Sequence, residues 1–277
     1  MTGPIGVFDS GLGGLTVAGE VLRRLPDERI VYFADSAHVP YGERPLHEIE
    51  EFALGITQFL IDRGSKVVVM ACNMSSAVAL EAARDAFPDT PILGVIEPGS
   101  RAAVATGGRT VGILATTGTV KSGAYSRTIL TLDPRVKVYE QPCPAFVPIV
   151  ESGMTESEEA EIAARTCVEP LVMAGAETLV LGCTHYPFLR SAIARAAGNA
   201  TIIDPAEETV TALYNILKER GIETDDSAPG EHRFFTSGDA DGFARLGSRF
   251  LGREIGLVEN ARWGIDLRVQ GTGYRVQ

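Results

Sequence analysis

The chain has 277 residues, 45% of them hydrophobic and 7% aromatic, enough to bury the cores of two modest domains. Its formal net charge is −11 and its basic residues are scattered, so no field attracts a phosphate backbone and no nucleic-acid partner is expected. No window approaches membrane-spanning length, MTGPIGVFDSG carries no secretory pattern, and Cys72, Cys143, Cys167 and Cys183 form no C-x-x-C pair; a cytoplasmic protein with free thiols and no membrane contact is expected.

In chain order, apolar runs of strand length alternate with helical patterns. IGVFDSG precedes a helix near 14–25, RIVYFAD a helix near 45–63, KVVVMAC a helix near 74–87, and PILGVI follows as a further strand. Continuous apolar runs alternating with helices indicate parallel strands covered by helices, an α/β fold. The same order then returns in TVGILATTGT, KVYEQPCPAFVPIVESG, ETLVLGCTHYPF and TIIDPAEE. Gly6 and Gly112 are 106 positions apart, Tyr32 and Tyr139 107, Pro40 and Pro148 108, and Cys72 and Cys183 111. Chance similarity would not stay in register over four strand-and-turn units, so the chain reads as two copies of one α/β unit. The expectation is two pseudo-symmetric domains, each a mostly parallel sheet flanked by helices, with the active site in the cleft between them. Pro98 ends the first unit and Pro205 occupies the matching place in the second. The first domain is expected to span 1–97 plus 207–277, and the second 98–206. The last stretch carries a helical pattern (ETVTALYNILKERG), an acidic turn-rich loop (ETDDSAPGEH), a strand (RFFTSG) and another helix (DADGFARLGSRFLG). From Trp263 onward a poorly ordered tail is expected.

Ligands of open parallel sheets bind beyond the carboxyl ends of the strands. Asp9-Ser10, Tyr41-Gly42, Cys72-Asn73, Thr116 to Thr119 and Cys183-Thr184-His185 fall at such ends. If the two units face each other about a pseudo-two-fold axis, Cys72 and Cys183 flank a small ligand from opposite sides. Each cysteine precedes a helix, whose macrodipole and free N–H groups favour the thiolate. One thiolate would remove a proton from a stereocentre while the opposite thiol delivers one to the other face, inverting configuration. Ser10, Asn73, Thr116, Thr119 and Thr184 could serve the substrate's carboxylates and the developing charge. Asp9 and His185 stand near enough in the motifs to tune the thiols, and Glu151 is a third candidate on the second-unit side. The Tyr41 hydroxyl, on a strand-end loop, is read as a substrate contact.

Other readings of these residues are weaker. Cys143 and Cys167 read as small buried hydrophobes. A metal site using Cys183-x-His185 with Cys72 lacks a further ligand at a customary spacing, so no metal is expected. The run SGLGG fails the phosphate-loop patterns, having Thr16 where a third glycine would stand, and Gly11, Gly13 and Gly14 read as a tight strand-to-helix turn. His38 and His47 read as surface or cleft-edge residues.

At this point FDSGLGGLTV, PYGER, ACN, TTGTVKSGAY, FVPIVESG, LGCTHYPFL and FFTSGDADGFARLGSRFL together resemble the glutamate racemases of the aspartate/glutamate racemase superfamily, across roughly residues 5–252. The resemblance implies a two-domain pseudo-symmetric α/β enzyme, usually homodimeric, that interconverts L- and D-glutamate without a cofactor and supplies D-glutamate for bacterial peptidoglycan. Carried over by position, it implies Cys72 and Cys183 as the acid/base thiols with Asp9, His185 and Glu151 as assistants. Ser10, Tyr41, Gly42, Asn73, Thr116, Thr119 and Thr184 are the implied substrate contacts.

One departure stands out: the family usually has Thr or Ser after Cys-Asn, and this chain has Met74. A neutral donor to a charged ligand is worth about 1.5–3 kcal/mol, so its loss weakens binding by about tenfold or more. Ser75 or Ser76 could replace it only with a shifted backbone, since each is rotated about 100° per residue around a helix. Ala115, where the family often has Gly, is a milder change. Rival readings are a sister racemase acting on aspartate, a hydantoin or maleate; a pyridoxal phosphate racemase using Lys66, Lys121, Lys137 or Lys218; and a non-catalytic amino-acid-binding relative.

Overall fold

A computed structural model describes residues 3–224 and 231–264. In chain order it runs β1 (Ile5–Asp9), α1 (Leu15–Arg24), β2 (Ile30–Ala34), α2 (Leu46–Asp62), β3 (Val67–Met70), α3 (Asn73–Ala86), β4 (Ile92–Gly94) and α4 (Ile96–Ala105). It continues through β5 (Thr110–Ala115), α5 (Thr117–Ser122), α6 (Ala124–Leu132), β6 (Lys137–Pro142), α7 (Phe146–Glu151), α8 (Glu158–Met173), β7 (Thr178–Gly182), α9 (Arg190–Ala197) and β8 (Thr201–Ile203). The chain closes with α10 (Pro205–Arg220), β9 (Arg233–Thr236), α11 (Ala240–Leu251) and β10 (Val258–Asn260). Short 3-10 turns cover Tyr41–Glu43 and Tyr186–Leu189.

The strands form two sheets, ordered β10-β9-β2-β1-β3-β4 and β6-β5-β7-β8, and every ladder is parallel. The order β2-β1-β3-β4 in the first sheet matches β6-β5-β7-β8 in the second, so the repeat in the sequence is a repeat of topology. Gly6 on the central β1 pairs with Val31 and Val68, while Gly112 on the central β5 pairs with Tyr139 and Leu179.

Burial on both faces explains the continuous apolar runs. On β1, Ile5 and Val7 enter a core with α1, α10 and α11, while Phe8 enters the opposite core with α2 and α3. On β7, Leu179 and Leu181 face the α7, α8 and α9 side, and Val180 faces α4 and α6. Local caps set the helix ends: Asp204 accepts the Ala206 N–H with Pro205 opening α10, and Gly221 ends it in the left-handed region at φ 60°.

Several expectations change. The strand read as PILGVI is β4 alone, and Ile96 already begins α4, so Pro98 lies inside that helix, which packs on α6 and α10. Within FVPIVESG, Phe146–Glu151 form the short helix α7. A further strand, β10, went unread, and with β9 it extends the first sheet beyond β2. Trp263 is no part of a loose tail. It packs beside Phe52 and His38, and its indole N–H donates to Asp35 at 3.0 Å. The rest of the expected tail, 265–277, and the loop residues 225–230 lie outside the described residues.

Candidate active site

Because each sheet is parallel, its strands end at one edge. From those edges β1 offers Asp9, β3 leads into Cys72, β5 into Thr116, and β7 into Cys183. These ends converge on a small cavity of about 50 Å³ lined by Ser10, Tyr41, Gly42, Cys72, Asn73, Met74, Thr116, Thr119, Cys183, Thr184 and His185, with Val39, Pro40 and Val147 completing the wall. Both thiols are almost fully buried, Cys72 at 5% and Cys183 at 7% exposure.

Around Cys183 the second unit builds a polar chain. His185 Nδ1 lies 3.8 Å from Cys183 Sγ, and Nε2 lies 2.6 Å from Glu151 Oε1 at the end of α7. Burial lowers the affinity of the imidazole for a proton, but hydrogen bonding to Cys183 and to Glu151 outweighs it and raises the His185 pKa to about 10. The imidazole is therefore protonated at neutral pH.

Around Cys72 the balance differs. Cys72 caps the amino terminus of α3, yet burial, followed by the Asp9 carboxylate, pushes its pKa up to about 12 against the opposing backbone N–H and hydroxyl of Ser75. The expectation that the helix terminus favours the thiolate at this position is corrected: desolvation and a neighbouring negative charge win. Cys183 differs too, since a 3-10 turn and not an α-helix follows it directly, with α9 starting at Arg190.

Asp9 crosses between the units. Its Oδ2 accepts the Gly11 N–H at 2.9 Å and its Oδ1 accepts the Thr184 hydroxyl at 3.2 Å. The glycine turn after it is required by space: a Cβ on Gly13 would lie 2.3 Å from Thr184 Oγ1 and 2.5 Å from His185 Nδ1. Asn73 is held from behind by the buried Tyr125, whose hydroxyl donates to Oδ1 at 2.7 Å and leaves the amide N–H groups available. Thr116 caps α5 and shares a 3.0 Å hydrogen bond with Thr119.

Met74 is 3% exposed and takes the Thr119 hydroxyl on its sulfur at 3.8 Å, beside Tyr41, Ile49 and Cys72. Ser76 does not compensate for it, because its hydroxyl donates to Met70 O and accepts the Val95 N–H. The Ser75 hydroxyl is buried on the Cys72 side and, among the described residues, finds no hydrogen-bond partner of ordinary length.

The other candidates sort simply. Cys167 on α8 and Cys143 sit in the core of the second unit, and His47 is exposed on α2. His38 is part of an Asp35 hydrogen-bond cluster, a role the sequence did not suggest. Lys66 is buried in an ion pair with Glu28 ahead of β3, at the opposite end of the strand from the cavity, and Lys121, Lys137 and Lys218 are exposed. Among the described residues no group of three or more His, Cys, Asp or Glu is arranged to hold a metal ion, and no helix is long and apolar enough to cross a membrane.

The family model for Asp/Glu/Hydantoin racemase matches residues 16–213. The chain belongs to that racemase family. Among curated relatives, glutamate racemase from Geobacter metallireducens is 45% identical over 257 residues, covering 92% of this chain and 94% of that protein. Among solved structures, a glutamate racemase isoform from Bacillus anthracis superposes with a TM-score of 0.90 at 38% identity, covering 94% of this chain and 97% of that one. The glutamate racemase from Francisella tularensis subsp. tularensis in complex with D-glutamate gives a TM-score of 0.89 at 34% identity, over 94% and 98% of the two chains.

Within this racemase framework, Val39, Pro40, Val147 and Tyr125 are the site residues that the sequence reading passed over. Val39 and Pro40 precede the PYGER tyrosine and carry no reactive group, while Tyr125 closes the TTGTVKSGAY motif and its hydroxyl reaches Asn73 across 52 positions of sequence.

Proposed function

We propose that this racemase interconverts L- and D-glutamate by a two-thiol proton transfer, without a cofactor. One observation carries the reading: the two cysteines that occupy equivalent places in the repeated units line one small cavity. The high identity to proteins named glutamate racemase supports the choice of substrate.

The chemistry balances at one carbon. The Sγ thiolate of one cysteine takes the Cα proton, and the C–H electron pair moves into the α-carboxylate as an enolate-like dianion. The thiol of the other cysteine then donates its proton to the opposite face of Cα, leaving the inverted amino acid and exchanged protonation states on the two sulfurs. The reverse direction uses the same steps with the roles reversed.

Asp9 acts beside Cys72, and protonated His185, oriented by Glu151, acts beside Cys183. Among the described residues no lysine or arginine lines the cavity, so neutral donors hold the two carboxylates: Ser10, Asn73, Thr116 and Thr119, with the Gly42 backbone, while Tyr41 and Thr184, whose hydroxyls donate to Asp35 and Asp9, shape the wall around the substrate. The amino terminus of α3 adds a favourable field for the charge that develops during transfer. In the cell the product would enter peptidoglycan synthesis, and the enzyme would work in the cytoplasm as a homodimer.

Circular dichroism of D-glutamate incubated with the protein in deuterated buffer, with mass spectrometry of the Cα hydrogen, tests this. Loss of optical signal with deuterium uptake is expected, and Cys72→Ser and Cys183→Ser should each lower the rate by about 10³-fold or more. No optical change and no exchange in the wild type, with the same result for aspartate, would overturn racemisation. Activity on aspartate alone would move the substrate to the sister reaction.

A further inference from the structure

Asp35, directly after β2, is fully buried, and its carboxylate is the centre of a cluster drawn from three distant parts of the chain. Its Oδ2 accepts the Tyr41 hydroxyl at 2.6 Å. Its Oδ1 accepts the Ser237 hydroxyl at 2.7 Å and the Trp263 indole N–H at 3.0 Å, and His38 Nδ1 lies 2.8 Å from the same oxygen. A buried carboxylate is tolerable only when its lone pairs are filled, and here these donors fill them.

What the cluster holds is a wall of the cavity. Tyr41 and Gly42 line it, and the same turn reaches the second unit: a Cβ on Gly42 would lie 3.3 Å from Thr116, and one on Gly118 would lie 2.7 Å from the Gly42 carbonyl oxygen. On its outer side the cluster is closed by Trp263, which lies over Gly55, where a Cβ would meet the indole Cε3 at 2.4 Å, and beside Phe52, at 5.1 Å between ring centroids. The backbone leading to it is anchored by the Ala261 N–H on the Thr236 carbonyl at 2.9 Å.

We propose that Asp35 is a positioning residue for the Tyr41–Gly42 turn, and that Trp263 is the latch by which the C-terminal segment keeps that turn closed against Thr116 and Gly118. Neither touches the reacting carbon; both act through the wall that encloses the substrate. The kinetic part of this inference rests on the glutamate racemase reading above.

The test uses the full chain and Trp263→Phe, which keeps an aromatic ring over Gly55 and removes the N–H donor. Backbone hydrogen exchange without substrate should be about tenfold faster in residues 38–45 of the variant, with β1 and β5 unchanged. KM for glutamate should rise by about tenfold with kcat unchanged, as expected for loss of a hydrogen bond to a charged group that shapes binding. Trp263 is the chain's one tryptophan, so wild-type emission should also shift on titration with D-glutamate. Unaltered exchange in residues 38–45, or unaltered KM in an active variant, overturns the latch while leaving racemisation standing. A wild type that does not racemise, with exchange still faster in the variant, removes the glutamate reading and leaves the latch.

Discussion

Glu151 Oε1 sits 2.6 Å from His185 Nε2, so the imidazole that faces Cys183 is oriented from a helix twenty-seven residues before its strand. That distance joins α7 to the end of β7 and fixes which ring nitrogen meets the thiol.

The pair sets a pH dependence whose sign can be worked out. The His185 pKa is raised to about 10, above the ordinary value near 6.5, by Cys183 and Glu151 against the opposing effect of burial. A group raised in this way contributes stability that is complete below about pH 6.5 and is lost as pH rises through about 10. Glu151→Gln removes one of the two supports. The stability gap between wild type and variant, measured by chemical denaturation, should be widest near pH 6 and close towards pH 10. Racemisation by Glu151→Gln should fall by about 10²-fold at neutral pH.

Gly13→Ala tests the closeness of the two units. Its Cβ would collide with Thr184 Oγ1 and His185 Nδ1, both on the Cys183 side. Far-ultraviolet circular dichroism should stay native while kcat/KM drops by about 10²-fold, because a displacement of about 1 Å at reacting groups has that cost. Full activity in the alanine variant would mean that the cleft is looser than these distances describe.

Met74→Thr should trade stability for affinity. Removing a buried methionine from contact with Tyr41, Ile49 and Cys72 should cost on the order of 2 kcal/mol in unfolding free energy. The new hydroxyl, and the Thr119 hydroxyl released from the methionine sulfur, should lower KM for glutamate by about tenfold. Steady-state kinetics beside a denaturant titration reads both effects, and an unchanged KM would remove Met74 from the binding wall.

Tyr125→Phe isolates the support behind Asn73. The buried hydroxyl donates to Asn73 Oδ1, and its loss should cost about 1 kcal/mol of stability and let the amide rotate. KM should rise several-fold, by roughly the same free energy, with kcat falling less. Equal falls in kcat and kcat/KM would instead place Asn73 in transition-state stabilisation alone.

Much of the fold was legible because its signals are local. Strands β1 to β5, β7 and β8 are mostly apolar runs bounded by turns, the more polar β6 is placed by the repeat, and the near-constant spacing from Gly6–Gly112 to Cys72–Cys183 marks that repeat in the sequence itself. The residues at the strand ends followed from the rule that parallel sheets bind at their carboxyl edges. What escaped depends on partners far apart in sequence. Nothing near Arg233 announces its pairing with Val31, and nothing near Trp263 announces Asp35. The three-residue β10 is too short to show a period, and Trp263 lies among polar neighbours that suggest a tail. The state of Cys72 was misread for a similar reason: its helix terminus is visible in the sequence, whereas its burial and the nearness of Asp9 come only with the fold.

The pairing of β9 with β2 also governs the order in which the molecule can be finished. A ribosome has synthesised every strand of the second sheet once it reaches Ile203, the end of β8, but the first sheet waits for Asn260. Throughout that interval the outer edge of β2 is an open row of backbone donors and acceptors, the kind of edge that recruits foreign strands. A chain interrupted before Arg233 would carry both thiols and yet leave that edge bare, so complete synthesis protects the protein from its own neighbours as much as it completes the catalyst.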